Sequence, residues 1–414
     1  MGRRLGGTLG ALMLAAFVLL ATLVYGSQAA NNRLGDDLAV GYIACRMLAE
    51  GKGAALYDHS HSGTVHEITA ADWDSSAARY GFTGTTYAYV QTPLWAYALT
   101  PACTTMNWPA FAAVYAFIAT LAVAGIVWLS ARYLANGSTP LVMAFVLVTL
   151  WYGLPFKYAM YLLQTHALIL IACLGALLLA ERKRPVRAGL LLAMAATVKI
   201  TPALLVVYWI ANRRWKALAA FTISMGALFA ITYALAGGEM TGAFISELRH
   251  FSSNIYVAFN NQSVAAGIMA PQYPQALDQW LIYPLTPWVK IVTGLLGVAF
   301  VGLAGHLRHK GASEGATVSV ALLAMTAFAP LAWTHYYIVC IVPLIWLGSQ
   351  PRMLGFVVLA ALAGMLPHIE FRALLYTGLL LIALCLYKAM QEGRHSNSSH
   401  FIARPSTSTA TTVM

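Results

Sequence analysis

Residues 181–216 read "ERKRPVRAGLLLAMAATVKITPALLVVYWIANRRWK". Two strongly basic blocks, 181–187 and 213–216, enclose 25 residues that carry a single charge, Lys199. A helix crosses a bilayer core of about 30 Å with roughly 20 apolar residues, so one span is long enough. One span, however, puts a basic block on each side of the membrane, whereas Lys and Arg collect in cytoplasmic loops. Two short helices with a turn at "KITP" keep both blocks on one side. Pro202 lacks a backbone N–H and disfavours helix at Thr201. Arms of about 12 residues each rise only ~18 Å, which leaves Lys199 below the far surface, inside the protein. An ionisable group at that depth is costly unless it faces a polar cavity. The alternative is one tilted span with a snorkelling lysine.

Working outward, the composition agrees with a membrane reading. The 414 residues are 60% hydrophobic and 9% charged, with a mean hydropathy of +0.69, outside the range of soluble domains. Backbone groups cannot stay unpaired in lipid, so the apolar runs must be helices. They fall near 8–26, 108–131, 139–154, 160–180, 188–199, 201–212, 217–236, 287–305, 316–332, 336–348, 353–367 and 373–388. The first run follows "MGRR" and is 18 residues long. That exceeds a signal-peptide core and reads as an uncleaved signal anchor. The formal charge of +11 sits in short blocks between apolar runs, as membrane orientation requires. Nucleic acid is not an expected partner, because no one segment gathers the basic residues. The five cysteines form no CxxC pair and no metal spacing. Cys173, Cys340 and Cys385 read as packing residues, and Cys45 and Cys103 fall in one non-membrane region where a disulfide is open to them.

The sequence therefore predicts an all-α polytopic membrane protein with about twelve transmembrane helices, including a short hairpin at 188–212, and both termini inside. The first helix covers 1–26, further spans lie in 108–236 and 287–388, and two external segments cover 27–107 and 237–286. Leu38, Tyr42, Cys45 and Leu48 share one helical face, which predicts an amphipathic helix lying at the membrane surface. The polar, Ser/Thr-rich tail at 389–414 predicts disorder. No tandem repeat at a fixed period is evident.

With this topology the isolated polar residues gather on the external side: Asp36, Asp37, Gln91, Gln164, His166, Lys199, Asn261, Gln262 and His335. Each alone reads as an interfacial group or an interhelical hydrogen bond. Together they outline a polar cavity at lipid level holding carboxylates, cations and amides. That inventory suits group transfer. A carboxylate can take the proton of an acceptor hydroxyl, and Lys and His can neutralise a leaving phosphate. A site at lipid level suits a lipid-tethered donor.

The same segments carry a family resemblance. "GDDLAVGYIACRMLAEGKGAALYD" (35–58), "YVQTPLWAYALTP" (89–101), the block 162–217 with its basic loop and "KITP", "NNQSVAAGI" (260–268) and "LAWTHYYIVCIVPLIWL" (331–347) together resemble glycosyltransferase family 87, the polyprenyl-phosphate-sugar-dependent mannosyltransferases of GT-C architecture. The resemblance implies a catalytic base just after the first span. The aromatic spacing to Tyr42 points to Asp37, with Asp36 next. It also implies substrate-binding roles for Tyr42, Gln91, Gln164, Asn261 and Gln262, and phosphate or sugar contacts for Lys199 and His335. His166 stands where an Asn is common, and Gln91 and Thr92 replace the Tyr and first Pro of a "YPPL" segment. The implied activity is inverting transfer of a sugar, mannose by resemblance, from a polyprenyl-phosphate donor to a lipid or glycan acceptor. The implied location is a bacterial inner membrane with the site facing the exterior. No cofactor or metal is expected. A lipid-linked-sugar flippase and a non-catalytic envelope-assembly protein are the rivals. A transporter is disfavoured by the one-sided polar set, since alternating access needs sites near the midplane.

Overall fold

Runs of Ala, Leu and Met lose little side-chain freedom in a helix, and helix dominates throughout. The computed structural model describes residues 2–58, 71–84, 86–135, 140–275, 280–350, 353, 358 and 372–402. In chain order the helices are α1 (Gly2–Ala30), α2 (Asp36–Ala49), α3 (Ala71–Arg79), α4 (Pro93–Thr105), α5 (Trp108–Leu129), α6 (Pro140–Tyr152), α7 (Leu154–Leu162), α8 (His166–Glu181), α9 (Pro185–Val198), α10 (Val206–Ala211), α11 (Trp215–Ser253), α12 (Val264–Met269), α13 (Pro287–His309), α14 (Glu314–Ala327), α15 (Ile341–Gly348) and α16 (Ala373–Ile402). Short 3₁₀ turns cover Gly53–Tyr57, Thr201–Leu205 and Thr334–Cys340. One small antiparallel ribbon pairs β1 (Asn254–Val257) with β2 (Leu281–Pro284), Ile255 opposite Tyr283.

Among the described residues, five helices are long and apolar enough to cross a membrane: Thr8–Ala30, Trp108–Leu134, Trp215–Ser253, Pro287–His309 and Ala373–Glu392. The pair α6 and α7 passes the same test only taken together, bent by 56° at Gly153, whose backbone is extended two residues before Pro155: a broken span or a re-entrant loop. Five more apolar helical stretches are shorter: His166–Glu181, Pro185–Val198, Thr201–Ala211, Glu314–Ala327 and Thr334–Gly348. The expected span at 353–367 lies outside the described residues, apart from residues 353 and 358.

The decisive segment breaks where Pro202 demands it. Helix α9 stops at Val198, Lys199 is extended (φ −150°, ψ 128°), and a 3₁₀ turn leads into α10. The two outer ends of this segment meet again at Glu181. Asn212 Nδ2 donates to Glu181 Oε1 at 2.7 Å, and Arg214 donates to Oε2 at 2.7 Å. Arg308 binds the same carboxylate at 3.0 Å. Arg182 pairs with Glu314 at 2.9 Å, and Ser313 N donates to Glu392 at 2.8 Å. The basic blocks at 181–187, 213–216 and 306–310 thus share one end of the molecule.

Two local expectations give way. Helix α2 does not lie as an amphipathic surface helix. Its expected polar side carries Ala39, Ile43 and Met47, and these are buried along with Leu38, Tyr42 and Cys45. A helix apolar all round is buried, here among α4, α5 and α7. Helix α16 continues to Ile402 where a disordered tail was expected from 389. Residues 388–392, "KAMQE", are good helix formers, and Glu392 is tied to Ser313. The tail at 403–414 lies outside the described residues. Cys45 and Cys103 form a disulfide between α2 and α4, with Cα atoms 6.5 Å apart. Cys173, Cys340 and Cys385 are free and buried.

Candidate active site

The site grows from the start of α2. Gly35 has φ +107°, a left-handed conformation that suits glycine. A Cβ there would press on the Trp108 ring at 3.0 Å. Gly35 N donates to the Tyr161 carbonyl at 2.9 Å, which fixes the entry to α2 against the end of α7. Asp36 and Asp37 therefore sit in the first turn of α2, where the helix dipole favours negative charge. The Gln164 side chain, just beyond α7, donates from Nε2 to Asp37 Oδ2. Burial pushes the Asp37 carboxyl up to about 7; the Gln164 hydrogen bond lowers it, Asp36 raises it, and Lys199 lowers it. Burial also raises Asp36. Tyr87 lies within electrostatic reach of both carboxylates.

Opposite Asp37 stands a cationic and aromatic cluster. The break after α9 delivers Lys199, whose Nζ donates to the Tyr336 hydroxyl and lies 3.6 Å from the Tyr336 ring centre. His166, the first residue of α8, stacks on the Tyr336 ring at 4.3 Å with an interplanar angle of 6°. His335 meets Tyr336 edge-on at 4.6 Å. His166, His335 and Tyr336 are each at least 96% buried. Both ring nitrogens of His166 and Nε2 of His335 have no hydrogen-bond partner. Buried polar atoms are normally paired, so three orphaned imidazole nitrogens near Lys199 leave the cluster open to a polar ligand. Gln91 joins from a third side. Thr92 Oγ1 donates to the Thr197 carbonyl at 2.9 Å, hooking that segment to the end of α9, and Gln91 Oε1 has no partner.

The other sequence candidates have different surroundings. Asn261 Oδ1 accepts from Ser263 N at 3.2 Å and Ala332 N at 3.1 Å, and its Nδ2 donates to the Tyr256 carbonyl at 2.9 Å. Gln262 Nε2 donates to the Phe259 carbonyl at 2.9 Å, and Oε1 accepts from Leu375 N at 3.4 Å. The Asn261 amide thereby braces the loop that holds Trp333, His335 and Tyr336. Tyr42 faces away from the cluster. Five residues from Asp37 is about 140° round a helix, and its hydroxyl donates to the Met106 carbonyl at 3.0 Å while its ring packs on Trp108 and Phe111. Tyr336 and Tyr87 were not singled out in the sequence. Tyr336 had a signal, its place beside His335 in "WTHYY".

A buried carboxylate facing a lysine and two unpaired imidazoles, in a largely helical protein with several membrane-length apolar helices, defines a membrane enzyme of group-transfer type. The family model of glycosyltransferase family 87 matches residues 89–334, more than half of the chain, and the protein belongs to that family. It is a glycosyltransferase. The match takes in Gln91, Gln164, His166, Lys199, Asn261 and Gln262; Asp36, Asp37 and Tyr42 precede it, and His335 follows it by one residue. No curated protein sequence matches the chain.

Proposed function

We propose that this protein is an inverting GT-C glycosyltransferase that moves a sugar, mannose by family resemblance, from a polyprenyl-phosphate donor to a lipid or glycan acceptor on the external face of the membrane. The observation that carries this reading is the opposition of Asp37 to the Lys199, His166 and His335 cradle. Asp37 takes the proton of an acceptor hydroxyl. The freed oxygen attacks the anomeric carbon from the side opposite the phosphate. The carbon–oxygen bond to phosphate breaks, and polyprenyl phosphate leaves with its growing charge met by Lys199 and the two imidazoles. In-line attack inverts the anomeric centre, so a β-linked donor gives an α-linked product. Asp36 is the alternative base.

Other features favour the same reading. An apolar cavity lined by Leu150, Phe156, Tyr337, Ile341 and Leu374 borders the 3₁₀ turn that carries His335 and Tyr336, and suits an isoprenoid chain. The disulfide between Cys45 and Cys103 suits an oxidising compartment, on the side away from the basic blocks. The reading keeps the expected twelve spans, with 188–212 as the short hairpin. The deciding experiment offers the purified protein in nanodiscs a radiolabelled polyprenyl-phosphate mannose and a membrane lipid extract as acceptor. Labelled product with inverted anomeric configuration supports the proposal. Label that stays on the donor with every acceptor extract overturns it.

A further inference from the structure

The end of the molecule opposite the candidate active site gathers more positive charge than its ion pairs use. Segments 181–187, 213–216 and 306–314 hold nine Lys and Arg residues against two carboxylates, Glu181 and Glu314. Glu181 takes Arg214 and Arg308, and Glu314 takes Arg182. The other six cations, Lys183, Arg184, Arg187, Arg213, Lys216 and Lys310, are exposed. Among the described residues they have no ion-pair partner.

Local structure does not account for them. The helix dipole favours carboxylates in a first turn and disfavours cations there. Yet α9 starts among Arg184 and Arg187, α11 starts among Arg214 and Lys216, and neither first turn holds an acid. Helices α8, α10 and α13 end in the same kind of turn, closed by Arg184 N to the Leu179 carbonyl, Arg214 N to the Trp209 carbonyl and Ala312 N to the Leu307 carbonyl. Its left-handed position is usually glycine. Gly311 fills it after α13, but Lys183 and Arg213 fill it after α8 and α10, at φ +56° and +57°. Membrane orientation asks for cations in these loops but not for their convergence, which comes from packing. Gly189 lies so close to α11 that a Cβ there would run into the backbone of Ala220 and Phe221. That contact falls little more than one turn into each helix, so the two cationic helix starts stand level and side by side. Next to them Trp215 is 57% exposed and Val186 is 71% exposed. An indole so placed belongs at headgroup level.

We propose that this surface, centred on Arg184, Arg187, Arg213 and Lys216, docks the headgroup of an anionic phospholipid. The lipid phosphate supplies the negative charge that the chain itself lacks here. Trp215 and Val186 supply apolar area for the glycerol and upper acyl chains beside it. The inference needs only a membrane location and not the transfer reaction, so it goes beyond the proposed function and stands or falls separately from it.

Full-length protein in detergent is titrated with dioleoyl phosphatidylglycerol and dioleoyl phosphatidylcholine at equal concentration, and retained lipid is counted by native mass spectrometry. The expected result is a wild-type preference for phosphatidylglycerol. It should fall about fivefold for each cation removed, the effect of one Lys or Arg beside an anionic lipid surface, in Arg187→Gln, in Lys216→Gln and further in the double variant. The double variant keeps the other exposed cations, so the orienting charge remains, and size-exclusion profiles check that each variant is folded. Arg187→Lys keeps the charge and should keep the preference. Lys290→Gln removes an exposed lysine at the far start of α13 and should leave the preference unchanged. Equal retention of the two lipids by the wild type overturns the proposal. So does a preference that survives the double variant, or one that falls equally in Lys290→Gln.

Discussion

At the scale of the residue, Asp37 is the proposed base. Asp37→Asn is nearly isosteric and still accepts the Gln164 hydrogen bond. Transfer should fall by about 10²–10⁴-fold, the usual loss for a general base, with donor binding retained. Near-normal turnover in Asp37→Asn together with an inactive Asp36→Asn moves the role to Asp36. The pH profile makes a second prediction. A base must be ionised, so kcat/KM should decline as pH drops through about 7, the value to which burial raises Asp37. Gln164→Leu removes a hydrogen bond that favours the carboxylate, so the acid limb should move to higher pH; a limb that stays in place dissociates Gln164 from Asp37. Lys199 is tested with Tyr336. A charge-assisted contact to phosphate contributes roughly 1.5–3 kcal/mol, so Lys199→Met should weaken donor binding and slow transfer. Tyr336→Phe keeps both ring contacts and loses only the hydroxyl that receives the Lys199 hydrogen bond. Its effect should largely vanish in the Lys199→Met background. Additive losses in a double-mutant cycle would show that Tyr336 does not act through Lys199. Asp37, Lys199 and His335 were legible because an ionisable residue in so apolar a chain is conspicuous. Tyr336 is one of 21 tyrosines, and only its place beside His335 marks it. Its position between Lys199 and His166 exists only once α8, α9 and the 334–340 turn are assembled.

At the scale of the element, the segment 188–212 shows what a sequence can give away. Pro202 and the flanking basic blocks placed the turn at "KITP", and α9 ends just before it at Val198, because both signals are local. The tie that returns α10 to the end of α8 was not legible, since Glu181 meets Asn212, Arg214 and Arg308 only through tertiary packing. Glu181 is 4% exposed. Removing a buried partner that leaves charges uncompensated costs about 3–5 kcal/mol. Arg214 and Arg308 keep side-chain exposures of 32% and 25% and can rehydrate, so Glu181→Ala should sit at or below the low end of that range. A thermal-melt comparison in nanodiscs reads it, and an unshifted melt would mean that the tie is not formed. The loop 260–263 gives the opposite lesson. "NNQS" reads as a ligand-binding pattern, and in the fold the Asn261 and Gln262 amides also meet backbone groups at Ser263, Ala332 and Leu375. A short polar motif does not reveal whether its partners are a substrate or the chain itself. Helix α2 misled for a related reason. Four residues on one face suggested a surface helix, while the small and apolar residues on the other faces let it be enclosed.

At the scale of the whole molecule, the arrangement separates two ends. One gathers Arg182, Glu181, Arg214, Arg308 and Glu314 in a mesh of ion pairs. The other gathers Asp37, Gln164, Lys199, His166 and His335. Helix α9 has 14 residues, about 21 Å at 1.5 Å per residue, so Lys199 stands that far from the basic end and short of a full bilayer crossing. Under the proposed function, this places the polar cluster at the depth of a lipid-borne phosphate, with the basic loops at the opposite surface. The topology follows and can be tested on exposed positions. Single cysteines at Ser75, Ser253, Arg184, Lys216 and Lys310 are read with a membrane-impermeant maleimide on intact cells. Cys173, Cys340 and Cys385 are buried and Cys45 is bonded to Cys103, so the native background should be silent. Ser75→Cys and Ser253→Cys should label, and the other three should label only after the membrane is opened. Arg184 and Lys216 are the sharpest pair, because both flank residues bonded to or adjoining Glu181. If one of them labels on intact cells and the other does not, 188–212 crosses the membrane once, Lys199 snorkels, and the phosphate cradle at the far end loses its lysine.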